Sequence, residues 1–490
     1  MRVSHGMRVP FERSNNQLIN TNIFCMKDNV FIRETDWPEY SQATPPGEPS
    51  LNELNARIHH CLEMMQERGL SHLVVYSDRE HFANLMYLTH FDPRFEEALL
   101  ILTHDKLPLI LVGNECVGHL NISPLYRAGE LRYERYQTFS LMNQPRNQSR
   151  RLEVILAEEG IAMGAKVGCV GWKYYSSTAF DNPELTSDIP AYLIDRLRKM
   201  VTETAVVNAT DLFISPSYGM RSFCSAYEIA CFEFSNVMAS EGMTSLLKNF
   251  KADITDFDQI KSYQYTGYPL NCHIGIKSSG NQHYGLSSPV GAIIRKGDPC
   301  STNIGYWGSN ICRAGWVAEN EDDLPETAKG YVENFAGPYF AALRDWFKHL
   351  KIGTTGGELQ QIIDDRLPFD QFGVFLNPGH LIHWDEWTSS PIYKGSIERI
   401  CPGMYIQTDI IPRSARYFSS RMEDGIVIVD EDLCRQLEKN YPDMFDRCMK
   451  RREFMEQLGF ELPNEVLPLS NTAGIVPPFF LNHKLILSFI

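Results

Sequence analysis

Residues 377–429 restrict the fold of this chain more than any other stretch. An Asn377-Pro378-Gly379-His380 turn is followed there by two strand-like segments, each carrying one acid. In the segment 404–411, strand alternation places Tyr405, Gln407 and Asp409 on one face and Met404, Ile406 and Thr408 on the other. The apolar run 426–429 reads as a buried strand with Glu423 at its mouth. A histidine and two acids at the ends of neighbouring strands would make a site. The alternative reading is that Asp409 and Glu423 are turn or rim charges.

Elsewhere the pattern alternates. Leu54, Ile58, Cys61, Leu62 and Met65 recur at helical spacing, and Arg68-Gly69 supplies a basic last turn and a glycine stop. Strands are expected at 73–76, 98–103, 107–112 and 167–170, with a helix at 149–159, which points to an α/β domain ending at a turn-rich joint at 214–219. A long helix is expected to start near Ser225, with a strand at 272–276, a polar run at 277–288, a strand at 300–304, a helix over 325–350 broken at Gly337-Pro338, and another at 357–366. These readings divide the chain into a flexible arm (1–45), an amino-terminal domain (46–213), a second domain (214–460) and a carboxy-terminal tail (461–490). The apolar end of that tail is expected to tuck against a core or a partner subunit.

Composition narrows the function. A length of 490 residues with 43% hydrophobic side chains supports sizeable cores, and a net charge of -15 disfavours binding to a phosphate backbone, so no nucleic-acid partner is expected. No apolar stretch reaches spanning length, so no membrane association is expected, and residues 1–16 lack the apolar centre of a secretory signal. The 12 cysteines form no CxxC pair and fit reduced thiols in a cytoplasmic protein. No P-loop, GxSxG elbow or dinucleotide glycine fingerprint is present.

Taken in order, Asn84-Leu85-Met86-Tyr87-Leu88-Thr89, Arg221-Ser222, Glu228-Ile229, Ser279-Gly280, Ser288-Pro289, Lys296-Gly297-Asp298, Gly379-His380, Pro402-Gly403-Met404 and Met422-Glu423-Asp424 carry a resemblance over about 51–430. They resemble the creatinase, prolidase and aminopeptidase P group of M24 peptidase-like proteins. The resemblance implies an α+β protein, with a carboxy-terminal pita-bread domain preceded by a smaller α/β creatinase-type amino-terminal domain.

Metal-dependent members of that group hold two ions on two Asp, one His and two Glu. The matching positions here are Asn303, Asn310, His380, Asp409 and Glu423, with seven residues from Asn303 to Asn310 against a longer usual spacing. Two carboxylates have become amides, and a neutral amide oxygen is a weaker ligand for a hard divalent ion. No metal cofactor is expected on this count, or at most one weakly bound divalent ion on His380, Asp409 and Glu423. The resemblance is therefore nearer the metal-independent creatinase branch, whose matching position to Asn303 is also Asn. The catalytic histidine of that branch does not carry over: its position is Ser287, while His283 lies four residues earlier and could supply the imidazole.

Seven residues beyond His380, where the group has a second histidine, this chain has Trp387, and His383 lies three residues on. The loop Trp384-Asp385-Glu386-Trp387 sets indoles beside carboxylates, which suits a cationic substrate group, although tryptophans packed under the sheet read equally well. Phe91-Asp92-Pro93-Arg94 resembles the segment that reaches into the neighbouring subunit's pocket in creatinase-like dimers, where Arg94 would clamp a carboxylate.

Together these features imply a homodimeric hydrolase cleaving a carbon–nitrogen bond in a small polar or zwitterionic molecule, with weak or no metal dependence. Its catalytic residues would be His283, His380, Glu423 and Asp409, and its substrate-binding residues Arg94, Phe91, His383, Trp384 and Trp387. Two alternatives stay open: a metal-dependent Xaa-Pro dipeptidase or aminopeptidase, or a related lyase; and a catalytically dead pita-bread domain used for binding.

Overall fold

The computed structural model describes residues 27–278 and 287–490. Their amino-terminal part is built on a six-stranded mixed sheet in the order Arg132–Arg135, Leu109–Val112, Ala98–Thr103, His72–Ser77, Val167–Val170, Val206–Asn208. Its two central strands read HLVVYS and ALLILT and are buried along their whole length, as near-continuous apolar runs require when both faces are covered. The helix Leu51–Glu67 packs its Leu54, Ile58, Cys61 and Met65 stripe on one side, and Ser50 caps it by accepting the Glu53 N–H.

Two four-stranded antiparallel sheets form the carboxy-terminal part. One runs Arg421–Glu423, Ile311–Trp316, Pro299–Ile304, Gly275–Ser278; the other runs His380–Leu381, Tyr405–Gln407, Gly425–Ile428, Val466–Pro468. The chain passes from one sheet to the other at a single residue, Asp424. That crossing is held by charge: Arg313 meets Asp424 Oδ2 at 2.7 Å, and Ser470 and Thr472 donate hydroxyls to Oδ1. Both members of the ion pair are essentially inaccessible, so each depends on the other for its solvation.

The helix Ala226–Lys248 opens with a full capping box, in which Ser225 accepts the Glu228 N–H and Glu228 accepts that of Ser225. Helix Gly337–His349 presses Phe340, Leu343 and Trp346 into a core shared with Ile304, Ile406 and Ile426 from both sheets. The helix expected over 325–350 is α-helical only from Gly337, where its break was expected, and the next residue is Pro338. It stands in the first turn of the helix, where its missing N–H costs nothing, and a π-turn over Val332–Ala336 leads in.

Two further sequence expectations are corrected. Within the arm expected to be flexible, Phe31–Glu34 forms a strand paired antiparallel with Leu485–Ser488 from the expected tail. Val30, Ile486 and Leu487 are fully buried in the main core, so apolar burial fixes both segments. Strand 404–411 is also shorter than alternation suggests: it ends at Gln407, and Asp409 lies just beyond it.

Candidate active site between two sheets

Register brings the site together. Asn303, Cys312 and Glu423 are directly opposite one another across three neighbouring strands, so their side chains share one face. His380 and Gln407 are likewise opposed in the second sheet, and Gln407 donates its amide to the Asn310 carbonyl oxygen at 2.5 Å, joining the sheets. His380, Glu423, Asn303, Asn310 and Asp409 are all at most 5% exposed.

Arg421, two residues before Glu423 on the same strand, is the cation that faces both acids of this cluster. Its guanidinium donates to Asp409 Oδ1 at 2.6 Å and to Glu423 Oε2 at 2.5 Å. Asn310 Nδ2 donates to Glu423 Oε1 at 2.9 Å and lies 3.5 Å from Glu386 Oε1. Burial, reinforced by the neighbouring Asp409 and Glu386 charges, raises the Glu423 carboxyl well above its ordinary range despite Arg421. Glu386 is also raised, chiefly by burial, with His380 opposing the shift.

His380 is held on three sides. Its Nδ1 faces the Leu381 carbonyl oxygen at 3.2 Å, Trp387 stacks on the ring at a centroid distance of 3.9 Å, and its Nε2 stands 3.5 Å from Glu386 Oε1. That Nε2, the Asn303 Oδ1 and the Gln407 Oε1 are buried polar atoms without a hydrogen-bond partner among the described residues. Such atoms are costly in a core and mark a place built to meet a polar guest.

A centre for two divalent ions does not suit this donor set. Asn303 and Asn310 supply neutral amides, Asn310 turns its amide nitrogen toward the acids, and Arg421 already pairs with Asp409 and Glu423. A smaller set exists: His380, Glu386 and Glu423 each offer a donor atom, all within 4.8 Å of one another. Glu386 is the member that sequence matching did not single out. Its signal was the acidic, aromatic loop itself.

The remaining sequence candidates separate. Trp387 joins the site as the stacking partner of His380. His383 is instead fully buried at the junction of the two parts of the chain: its Nε2 meets Glu228 Oε1 at 3.0 Å, and Glu228 also pairs with Arg57 at 3.1 Å. Arg221 extends the junction to Asn84 at 2.7 Å and to Asp385. His383 therefore ties domains and has no face left for a substrate. Phe91 is 0% exposed in the amino-terminal core, which corrects its expected substrate role. Arg94 is exposed, over the Phe95 ring at 4.8 Å. Trp384 packs edge-on against Phe232 and His383. His283 lies outside the described residues.

Neither a protein-family model nor a curated protein sequence matches the chain. Solved structures do. A prolidase from Pyrococcus horikoshii superposes with a TM-score of 0.57 at 15% identity, covering 76% of this chain and 96% of its own. Dipeptidase PepE from Mycobacterium ulcerans gives 0.58 at 14% identity over 78% and 95%, and an Xaa-Pro dipeptidase from Bacillus anthracis 0.57 at 13% over 77% and 96%. At such identities the likeness establishes the fold: the chain has the α+β pita-bread architecture of M24 peptidases.

Proposed function

We propose that this protein is a hydrolase that cleaves a carbon–nitrogen bond in a small polar or zwitterionic substrate, with weak or no dependence on a divalent ion. The fold it shares with prolidases and dipeptidases supports hydrolysis as the reaction class. The observation that carries the reading is His380: a buried imidazole whose Nε2 has no hydrogen-bond partner among the described residues and faces Glu386 at 3.5 Å. With Nδ1–H donated to the Leu381 carbonyl, the ring presents Nε2 as a base. It takes a proton from water as the oxygen adds to the substrate carbon, Glu386 stabilises the resulting imidazolium, and the same proton passes to the leaving nitrogen. Arg421 keeps Asp409 and Glu423 in place as the floor. The reading also includes a homodimer, in which the exposed Arg94 reaches a neighbouring subunit's pocket and clamps a carboxylate.

A second reading is favoured by one observation, the convergence of His380, Glu386 and Glu423 within 4.8 Å. On it, these three hold a single divalent ion in a metal-dependent Xaa-Pro peptidase. Metal content of the purified, unchelated protein, measured with turnover of amidino, betaine-like and Xaa-Pro compounds before and after chelation, separates the two. Activity that survives chelation supports the first reading; stoichiometric metal with activity abolished by chelation supports the second. Turnover of none of these compounds, with no metal, refutes both in favour of a binding domain.

A further inference from the structure

A cavity of about 230 Å³ opens between the amino-terminal part and the first helix of the second, away from the His380 cluster. Five aromatic rings line it: Tyr227 and Phe234 from helix Ala226–Lys248, Tyr268 from the loop beyond it, Trp307 from the tip of the hairpin between Pro299–Ile304 and Ile311–Trp316, and Trp384. Their positions are set by packing. Trp307 stacks on Phe82 at 4.4 Å, Trp384 meets Phe232 edge-on at 4.9 Å, and Phe234 meets Tyr268 edge-on at 6.1 Å. Among the described residues Asp92 is the one acidic side chain on the wall, and neither Lys nor Arg lines it; Asp92 accepts the Arg94 N–H at 2.9 Å and stands 3.7 Å from His119 Nε2. Burial, aided by Arg57 and Arg127, keeps the neighbouring His90 below its ordinary range and so uncharged at neutral pH.

Aromatic faces carry the negative side of the ring quadrupole, and the Asp92 carboxylate adds to it, so these features of the wall favour positive charge. We propose that the cavity binds a small organic cation, an ammonium or quaternary ammonium group on a short tail. The volume is below that of pockets for drug-sized ligands, which limits the guest to a few heavy atoms beyond the cationic head. The inference stands independently of the reaction at His380.

Choline and its neutral isostere 3,3-dimethylbutan-1-ol, titrated into the full chain by calorimetry and tryptophan fluorescence, test this. Choline is expected to bind at least about tenfold more tightly than the isostere. Trp307→Leu is expected to weaken choline about tenfold and Asp92→Asn about threefold or more, while Trp172→Leu on the exposed surface leaves it unchanged. Thermal melting checks each variant, and Asp92→Asn carries the test if Trp307→Leu melts early. Equal affinity for choline and the alcohol, no binding by roughly 50 mM, or undiminished binding in a folded Trp307→Leu or Asp92→Asn protein overturns the proposal.

Discussion

Replacing Glu228 with Gln should cost the folded chain about 3 kcal/mol at neutral pH, and the cost should fade in acid. The carboxylate is buried at the domain junction and accepts from Arg57, His383 and the Ser225 N–H. Burial alone would raise its pKa, but Arg57 and His383 outweigh burial and hold it at about 2 against an ordinary 4.5. Because the folded value lies below the unfolded one, the full contribution is present above about pH 5 and is lost as pH falls through about 2. The gap corresponds to about 3 kcal/mol. Glu228→Gln removes that titration and leaves the partly exposed Glu53 as the carboxylate paired with the buried Arg57, beside the Tyr87 carbonyl. Urea unfolding of both proteins at about pH 7.5, 5 and 3 is the assay, followed by far-UV and near-UV signals together because two domains need not unfold in one step. The difference should be largest at the two higher pH values and clearly smaller at the lowest. A difference below about 1 kcal/mol at neutral pH, or one that stays constant into acid, refutes the account.

Other substitutions probe the site and the crossing beside it. His380→Ala should abolish turnover of a true substrate while the melting temperature holds within a few degrees; intact kcat would remove His380 from the chemistry. Glu386→Gln should lower kcat by about 10²-fold or more with a smaller change in KM, and an unchanged kcat would leave the imidazolium without the partner assigned to it. Arg313→Met should destabilise by roughly 3–5 kcal/mol by stranding the buried Asp424, as read by denaturant midpoint. Gly308→Ala should lower the midpoint too, because Gly308 has φ +85° and an added Cβ would lie 2.3 Å from a Phe232 ring carbon.

Much of the architecture was legible because it is written in local signals. A long helix expected to start near Ser225 does so, and the apolar runs at 73–76, 98–103 and 167–170 are strands of the amino-terminal sheet. The positions Asn303, Asn310, His380, Asp409 and Glu423 could be aligned along the chain, and the structure clusters His380, Asn310, Asp409 and Glu423 around Arg421 and Glu386. What a sequence does not encode locally is which of several nearby residues turns inward. His380, His383, Trp384 and Trp387 are separated by at most seven positions, yet one stands in the site, one ties domains, one lines a cavity and one stacks on the first. Those fates depend on a loop path between sheets, not on a period. Phe91 failed for a related reason: its motif matched a reaching segment, while its side chain fills the amino-terminal core. Arg421 was passed over because its role as counter-ion becomes visible only once Asp409 and Glu423 are neighbours in space.

The pairing of Phe31–Glu34 with Leu485–Ser488 sets a schedule for the growing chain. On a ribosome the first of these strands leaves the tunnel on the order of tens of seconds before the second exists. Until then its apolar side chains have no partner strand. The amino-terminal sheet, whose strands all lie within 72–208, can close during that wait. Completion of the second domain thus waits for residues 485–488, and a chain stalled before residue 485 would display an uncovered strand edge to chaperones and proteases.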